Sequence, residues 1–145
     1  MVDLIDTIVY AGRLKDKSAL MSSSSGGAFT ALSNAFLKSG DAVVAAVYNY
    51  ENHTVEFQMI LDEKQRERAK GSKYMQSKPG DIYQEAYRWL MDNPKKELLF
   101  VGMGCQSDGF RKFSEIKGIR DRVHIVDIIC CLLYTSDAAD EQLLV

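Results

Sequence analysis

Two stretches, Asp41-Ala-Val-Val-Ala-Ala-Val-Tyr48 and Glu97-Leu-Leu-Phe-Val-Gly102, are apolar almost without a break. A strand with one wet face alternates polar and apolar residues, so an unbroken run predicts a strand covered on both faces. Arg122-Val-His-Ile-Val-Asp-Ile-Ile129 reads as the last strand. Helical patterns lie between them, Ala28–Leu37 before the first, Ile82–Met91 before the second, and one from the Gly104–Asp108 turn to about Lys117-Gly118 before the third. Alternation of this kind predicts an α/β fold with helices on both faces of the sheet. Thr54-Val-Glu-Phe-Gln-Met-Ile60 alternates and follows the turn Asn49-Tyr-Glu-Asn-His53, which makes it the return strand of a hairpin. The expected sheet is therefore mixed, mainly parallel and flanked by helices. Ligands of such sheets sit beyond the carboxyl ends of the strands, which directs attention to the turn Gly102–Gln106 and to Cys130.

The punctuation agrees. Ser39-Gly40 ends the first helix with glycine in the C′ place. Asp62 reads as the N-cap of a short charged helix, 63–70, too poor in apolar residues to bury deeply. Pro79 and Asp81 open the helix at Ile82, whose inner face is Ile82, Tyr83, Ala86, Trp89 and Leu90, and Asn93-Pro94 stops it. Ile5-Asp-Thr-Ile-Val-Tyr10 reads as a further short strand and Arg13–Lys17 as a solvated turn.

Charge excludes some partners. The chain carries 18 Lys and Arg against 20 Asp and Glu, a net charge of −2, which gives no bulk attraction for nucleic acid or an anionic membrane. No apolar run approaches the roughly 20 residues of a membrane span, and the acidic N-terminus is not a signal peptide. Three cysteines, Cys105, Cys130 and Cys131, form no disulfide framework, so a reduced cytoplasmic location is expected.

Met21-Ser-Ser-Ser-Ser-Gly-Gly-Ala-Phe-Thr30 is the first candidate site. It leads straight into a helix whose free N–H groups and macrodipole favour an anion, while the glycines let a ligand approach. An ordinary serine cap after a flexible linker is the competing explanation. Cys105 sits at a strand-to-helix turn, where a helix N-terminus lowers a thiol pKa. It reads as a nucleophile, an iron–sulfur ligand or a small buried residue, and the candidate bases His53 and His124 have no recognisable catalytic context. Lys73, between Ser72 and Tyr74, could meet an anion with Tyr74 as a flat face, or be a surface lysine. No Walker lysine, Gly-x-Gly-x-x-Gly fingerprint or paired-cysteine metal spacing is present.

Four motifs in order, Ser23-Ser-Ser-Gly-Gly27, Gly71-Ser-Lys-Tyr-Met-Gln-Ser77, Gly102-Met-Gly-Cys-Gln106 and Val126-Asp-Ile-Ile-Cys130, resemble the coenzyme F420 hydrogenase/dehydrogenase beta-subunit family. The resemblance spans about residues 7–130. It implies FAD, a 4Fe-4S cluster in the full-length parent, and coenzyme F420 as a further candidate. It places Ser24, Ser25, Gly26 and Gly27 against the flavin phosphates and Lys73, Tyr74, Gln76 and Ser77 in the same pocket. Cys105 and Cys130 become candidate cluster ligands. The implied protein is a flavin- and iron–sulfur-dependent oxidoreductase subunit passing electrons between a redox partner and a deazaflavin-type or other acceptor. A non-catalytic redox-partner or scaffold module is the alternative, and a cysteine hydrolase using Cys105 is a third.

The sequence departs from the family pattern in places. Residues 1–20 contain none of the spaced cysteines of a ferredoxin-like segment. Met103 and Gly104 replace the usual Thr-Pro of the third motif, and the fourth breaks off at its cysteine. Cys131-Leu-Leu-Tyr-Thr-Ser-Asp-Ala-Ala-Asp-Glu141 resembles the conceptual translation of a transposase adapter used in sequencing libraries. The resemblance thus implies one partial α/β domain, 1–130, its sheet incomplete at the C-terminal side, and a non-native tail, 131–145, in a fragment expected to be inactive alone.

Overall fold

A computed structural model of the chain describes residues 8–129. In order, these form α1 (Lys17–Met21), α2 (Ala28–Lys38), β1 (Ala42–Asn49), β2 (Thr54–Ile60), α3 (Glu63–Ala69), β3 (Ser77–Lys78), α4 (Ile82–Asp92), β4 (Leu98–Met103), α5 (Gly104–Ile116) and β5 (Val123–Ile128). The strands make one sheet in the order β3-β2-β1-β4-β5. The β1–β2 hairpin is antiparallel and the other three pairings are parallel, so the mixed, mainly parallel α/β sheet is as expected. Among the described residues no strand pairs with the outer edge of β5.

The unbroken apolar runs are explained by the register. Ala42, Val43 and Val44 stand beside Leu98, Leu99 and Phe100, and successive side chains point to opposite faces. Ala42, Val44, Leu98 and Phe100 pack with Ile82, Ala86 and Leu90 of α4 and Phe110 of α5. Val43, Ala45, Val47, Leu99 and Val101 pack on the other face with Phe29, Phe36 and Leu37 of α2 and Ala69 of α3. Both faces are therefore covered. On the α4/α5 side Phe100 is stacked between Phe57 and Phe110, with ring centroids 5.3 and 4.6 Å away, a geometry that adds to plain area burial.

The caps follow the sequence closely. Gly40 has φ 72° immediately after Ser39, the C-cap of α2. Asp62 accepts from the Gln65 N–H at 2.7 Å. Asn49 Oδ1 accepts from the N–H groups of Glu51 and Asn52, which fixes the hairpin turn.

Two expectations are corrected. Of the predicted strand 5–10, residues 8–10 are described; they belong to no element and are exposed. Strand propensity needs a ladder partner, and the chain here instead runs past the Ser-Gly turn, where the Leu14 N–H donates to Gly26 O at 2.9 Å. The charged helix α3 also buries more than its composition suggests. Arg66 and Ala69 face inward; the Arg66 Nη2 reaches Glu67 at 3.0 Å, while its Nε and Nη1 are buried with no hydrogen-bond partner among the described residues. Residues 1–7, Cys130 and the proposed tail 131–145 lie outside the described residues. No helix among the described residues is long and apolar enough to cross a membrane.

Candidate functional site

The carboxyl ends of β1, β4 and β5 lie along one edge of the sheet, joined there by the start of β2 and by β3. A cleft of about 680 Å³ opens at this edge, within the roughly 300–1,000 Å³ usual for small-molecule and cofactor sites. Three sequence-distant segments wall it, namely the Ser-Gly turn with the start of α2, the loop after α3, and the β4–α5 junction.

The Ser-Gly wall owes its shape to three successive left-handed residues, Ser25 at φ 48°, Gly26 at 76° and Gly27 at 78°. Only glycine takes such angles without cost, and the bend lets α2 begin at Ala28. Gly27 is the N-cap residue, so no side chain caps the first amides of α2. The serines divide into two groups. Ser22 Oγ donates to Ala19 O and accepts from Lys70 Nζ, while Ser23 Oγ donates to Ala19 O at 2.6 Å and meets Thr30 Oγ1 at 2.7 Å. Ser24 and Ser25 line the cleft, and no protein partner for their hydroxyls is found among the described residues. Gly26 sits behind the wall, packed on the Gly12 carbonyl. Gly27 is buried against Leu14.

The second wall is the segment Lys70–Ser77. Lys73 lines the cleft, but its ammonium donates to Ala69 O at 2.6 Å and to Lys70 O and Gly71 O at 3.0 Å each. An ammonium has three donors, so all of them close the C-terminal end of α3. Burial lowers the Lys73 pKa, while the three carbonyls favour the charged form. Tyr74 is exposed at the cleft mouth. Gln76 is exposed and does not line the cleft, whereas Ser77 is buried and does.

At the third wall Gly102 has no room for a side chain, since a Cβ would stand 2.8 Å from Phe100 Cε1 and 3.3 Å from Phe57 Cζ. Cys105 is exposed and turned away from the cleft lining. Neither histidine is bonded to it. His53 Nδ1 pairs with Tyr48 OH, and His124 Nε2 with Glu97 Oε2 at the opposite end of β4. Among the described residues no three of His, Cys, Asp and Glu gather as metal ligands, and Cys130 is outside them.

Sequence reasoning missed Gln106 as a site residue, although it ends the third motif. It is buried, lines the cleft and bonds to both neighbouring segments. Its Oε1 accepts from the Met103 N–H at 3.2 Å, and its Nε2 donates to Ser77 Oγ at 2.7 Å and Ser77 O at 3.2 Å. Tyr83 OH donates to Gln106 O at 2.8 Å. Burial, and then the charge of Cys105, raise the Tyr83 pKa.

The family described as coenzyme F420 hydrogenase/dehydrogenase, beta subunit N-terminal, matches residues 9–80. No curated protein matches the chain. In fold the chain is similar to one in the F420-reducing [NiFe] hydrogenase complex from Methanosarcina barkeri, with a TM-score of 0.65 and 21% identity. The match covers 81% of this chain and 42% of that one, so this chain spans less than half the length of that relative. The matched residues 9–80 include the Ser-Gly turn and the lysine loop, two of the cleft's three walls, and the chain belongs to the coenzyme F420 hydrogenase/dehydrogenase beta-subunit family.

Proposed function

We propose that this chain is the flavin-binding part of a flavin- and iron–sulfur-dependent oxidoreductase subunit that exchanges electrons with a redox partner. The observation that carries the reading is the cleft itself. Uncapped α2 amides and the Ser24 and Ser25 hydroxyls stand on one wall, and an apolar floor of Phe57, Val101 and Gly102 lies beneath. An anion fits the first and a flat ring system the second. Bound FAD would supply the reversible uptake of electrons, and the protein groups bind and orient it.

In this reading the Ser24 and Ser25 hydroxyls and the first amides of α2 receive the diphosphate, while Gly26, behind the wall, and Gly27, whose N–H donates to Ser24 O at 2.9 Å, shape the bend that presents them. Ser77 reaches the ring from the buried side, and Tyr74 offers a face at the mouth. Lys73 contributes charge and holds the loop in place, since its donors are already engaged. Gln76 takes part through the backbone path into β3. The matched hydrogenase complex is F420-reducing, which makes coenzyme F420 the candidate acceptor.

The iron–sulfur assignment fits less well. A four-iron cluster is held by four thiolates, and among the described residues Cys105 is the one cysteine and belongs to no group of three possible metal ligands. Cys105 and Cys130 remain candidate cluster ligands of the longer parent. The test is to incubate the purified chain with FAD, remove free cofactor, and read flavin absorbance and fluorescence. Retained flavin near one per chain is expected. No retention and no quenching would overturn the assignment and favour the scaffold alternative.

A further inference from the structure

The hydrogen-bond directions around Gln106 have a consequence for the ligand. A backbone N–H can only donate, so the Gln106 atom facing Met103 N must be the carbonyl Oε1. That fixes the amide, and the atom facing Ser77 must be the NH2 group. An NH2 group can only donate, so the Ser77 oxygen accepts at this 2.7 Å contact. The Ser77 hydrogen is therefore directed elsewhere. Among the described residues no acceptor is found for it, yet Ser77 is 7% exposed and its open side is the cleft. A buried hydroxyl hydrogen without an acceptor is costly, and a ligand atom can supply one.

We infer that Gln106 is a positioning residue that makes Ser77 a one-way hydrogen-bond donor to the cleft, selecting ligands that present a carbonyl oxygen or an unprotonated ring nitrogen there. Ser77 stands beside Val55 in the ladder and shares the cleft lining with the apolar Phe57, Val101 and Gly102, which suits an edge of a neutral heteroaromatic ring better than a phosphate. A ring N–H at the same place would meet another hydrogen and be refused. The order of polarity runs from Met103 N–H through the Gln106 amide to Ser77 and then to the ligand. Tyr83 OH and the Met103 N–H hold Gln106 at its backbone and side chain, so the direction is set before any ligand arrives. With FAD as that ligand, the inference rests on the flavin reading above.

Gln106→Glu is the informative variant because it keeps the shape and reverses the chain. An ionised carboxylate can only accept, so it would turn the Ser77 hydrogen inward and leave an oxygen lone pair facing the ligand. A protonated carboxyl could still donate to Ser77. FAD affinity of Gln106→Glu is expected to fall about tenfold relative to the wild type as the pH is raised from about 6 to about 9. Tyr83, Cys105 and Lys73, the titratable groups around Gln106 from α4, α5 and the loop, are common to both proteins, so the difference between the two profiles isolates the new carboxyl. Ser77→Ala should lose affinity by a similar factor and abolish the response to Gln106→Glu. Wild-type FAD binding with Gln106→Glu indistinguishable from it at every pH would overturn the inference.

A second measurement needs no cofactor. In the ligand-free chain labelled with nitrogen-15, the Gln106 side-chain NH2 protons should exchange slowly with solvent and move on Ser77→Ala. Fast exchange, or no response to Ser77→Ala, would overturn the inference. Failure of the wild type to bind FAD, with this signature intact, would remove the flavin reading and leave the directed donor standing.

Discussion

Gly27→Ala tests whether the Ser-Gly turn is held by the segment that precedes it. Gly27 has φ 78°, and an added Cβ would stand 2.3 Å from Leu14 Cδ1 and 2.8 Å from Leu14 Cγ. Two costs result. Putting a non-glycine residue in the left-handed region costs about 1–2 kcal/mol, and forcing a methyl into occupied space adds about 1–3 kcal/mol. Gly40→Ala separates them. Gly40 has φ 72°, nearly the same backbone, but its Cβ would meet only the end of Lys96, with Nζ at 2.8 Å. That flexible tip can move, so the second term largely vanishes. Gly27→Ala should therefore cost about 2 kcal/mol more than Gly40→Ala, which at a urea slope of about 2 kcal/mol/M is a further midpoint shift of about 1 M. Urea denaturation followed by circular dichroism reads this directly. Leu14→Ala in the Gly27→Ala background should recover part of the loss, because neighbouring sites couple. Equal midpoints for the two glycine variants, or strict additivity with Leu14→Ala, would refute the packing argument.

Other variants probe the remaining walls. Lys73→Met deletes three bonds to the end of α3 and should destabilise the chain by about 1–3 kcal/mol; it should also speed proteolysis within 71–76. If Lys73 clamps the loop and makes no direct bond to the ligand, the salt dependence of FAD binding should be nearly the same in Lys73→Met as in the wild type; a flattened salt profile would instead make Lys73 a direct ionic ligand. Tyr83 gives a pH prediction. Its pKa is raised in the fold, so the unfolded chain ionises first, at about pH 10, and the stability due to the neutral phenol is lost as pH rises through the folded value. Tyr83→Phe should be less stable than the wild type at neutral pH, and their melting temperatures should converge above about pH 10. Parallel curves would mean that burial does not perturb this phenol.

How much of this was legible in the sequence depends on how local each cause is. The strands β1 and β4 could be read because burial on two faces leaves a mark at every position, as in Ala42–Val47 and Leu98–Val101, whereas β5 is an edge strand in which only Val123 is buried. The caps at Asp62 and Gly40 were equally legible, since each answers to a helix end within a few residues. Residues 8–10 misled because β-branched composition states a preference for pairing but cannot supply the partner. The two-residue strand β3 left no periodic trace at all; Val55 and Gln106, 22 and 29 residues away from Ser77, define it.

The site divides along the same line. That the Ser-Gly turn and the lysine loop belong together was visible from their motifs, and both line one cleft. What each side chain does there was not visible, because donors are assigned by tertiary neighbours. Lys73 has the composition of an anion ligand, yet its charge is taken by three carbonyls of its own loop. Lys70, the next cation along, is paired with Glu67 at 2.8 Å. With both lysines engaged inside the protein, the donors left facing the cleft are neutral groups, the α2 amides and the Ser24 and Ser25 hydroxyls. Such donors act through direction and close approach, so on the flavin reading proposed above the left-handed glycines and the fixed Gln106 should matter more to binding than the basic residues.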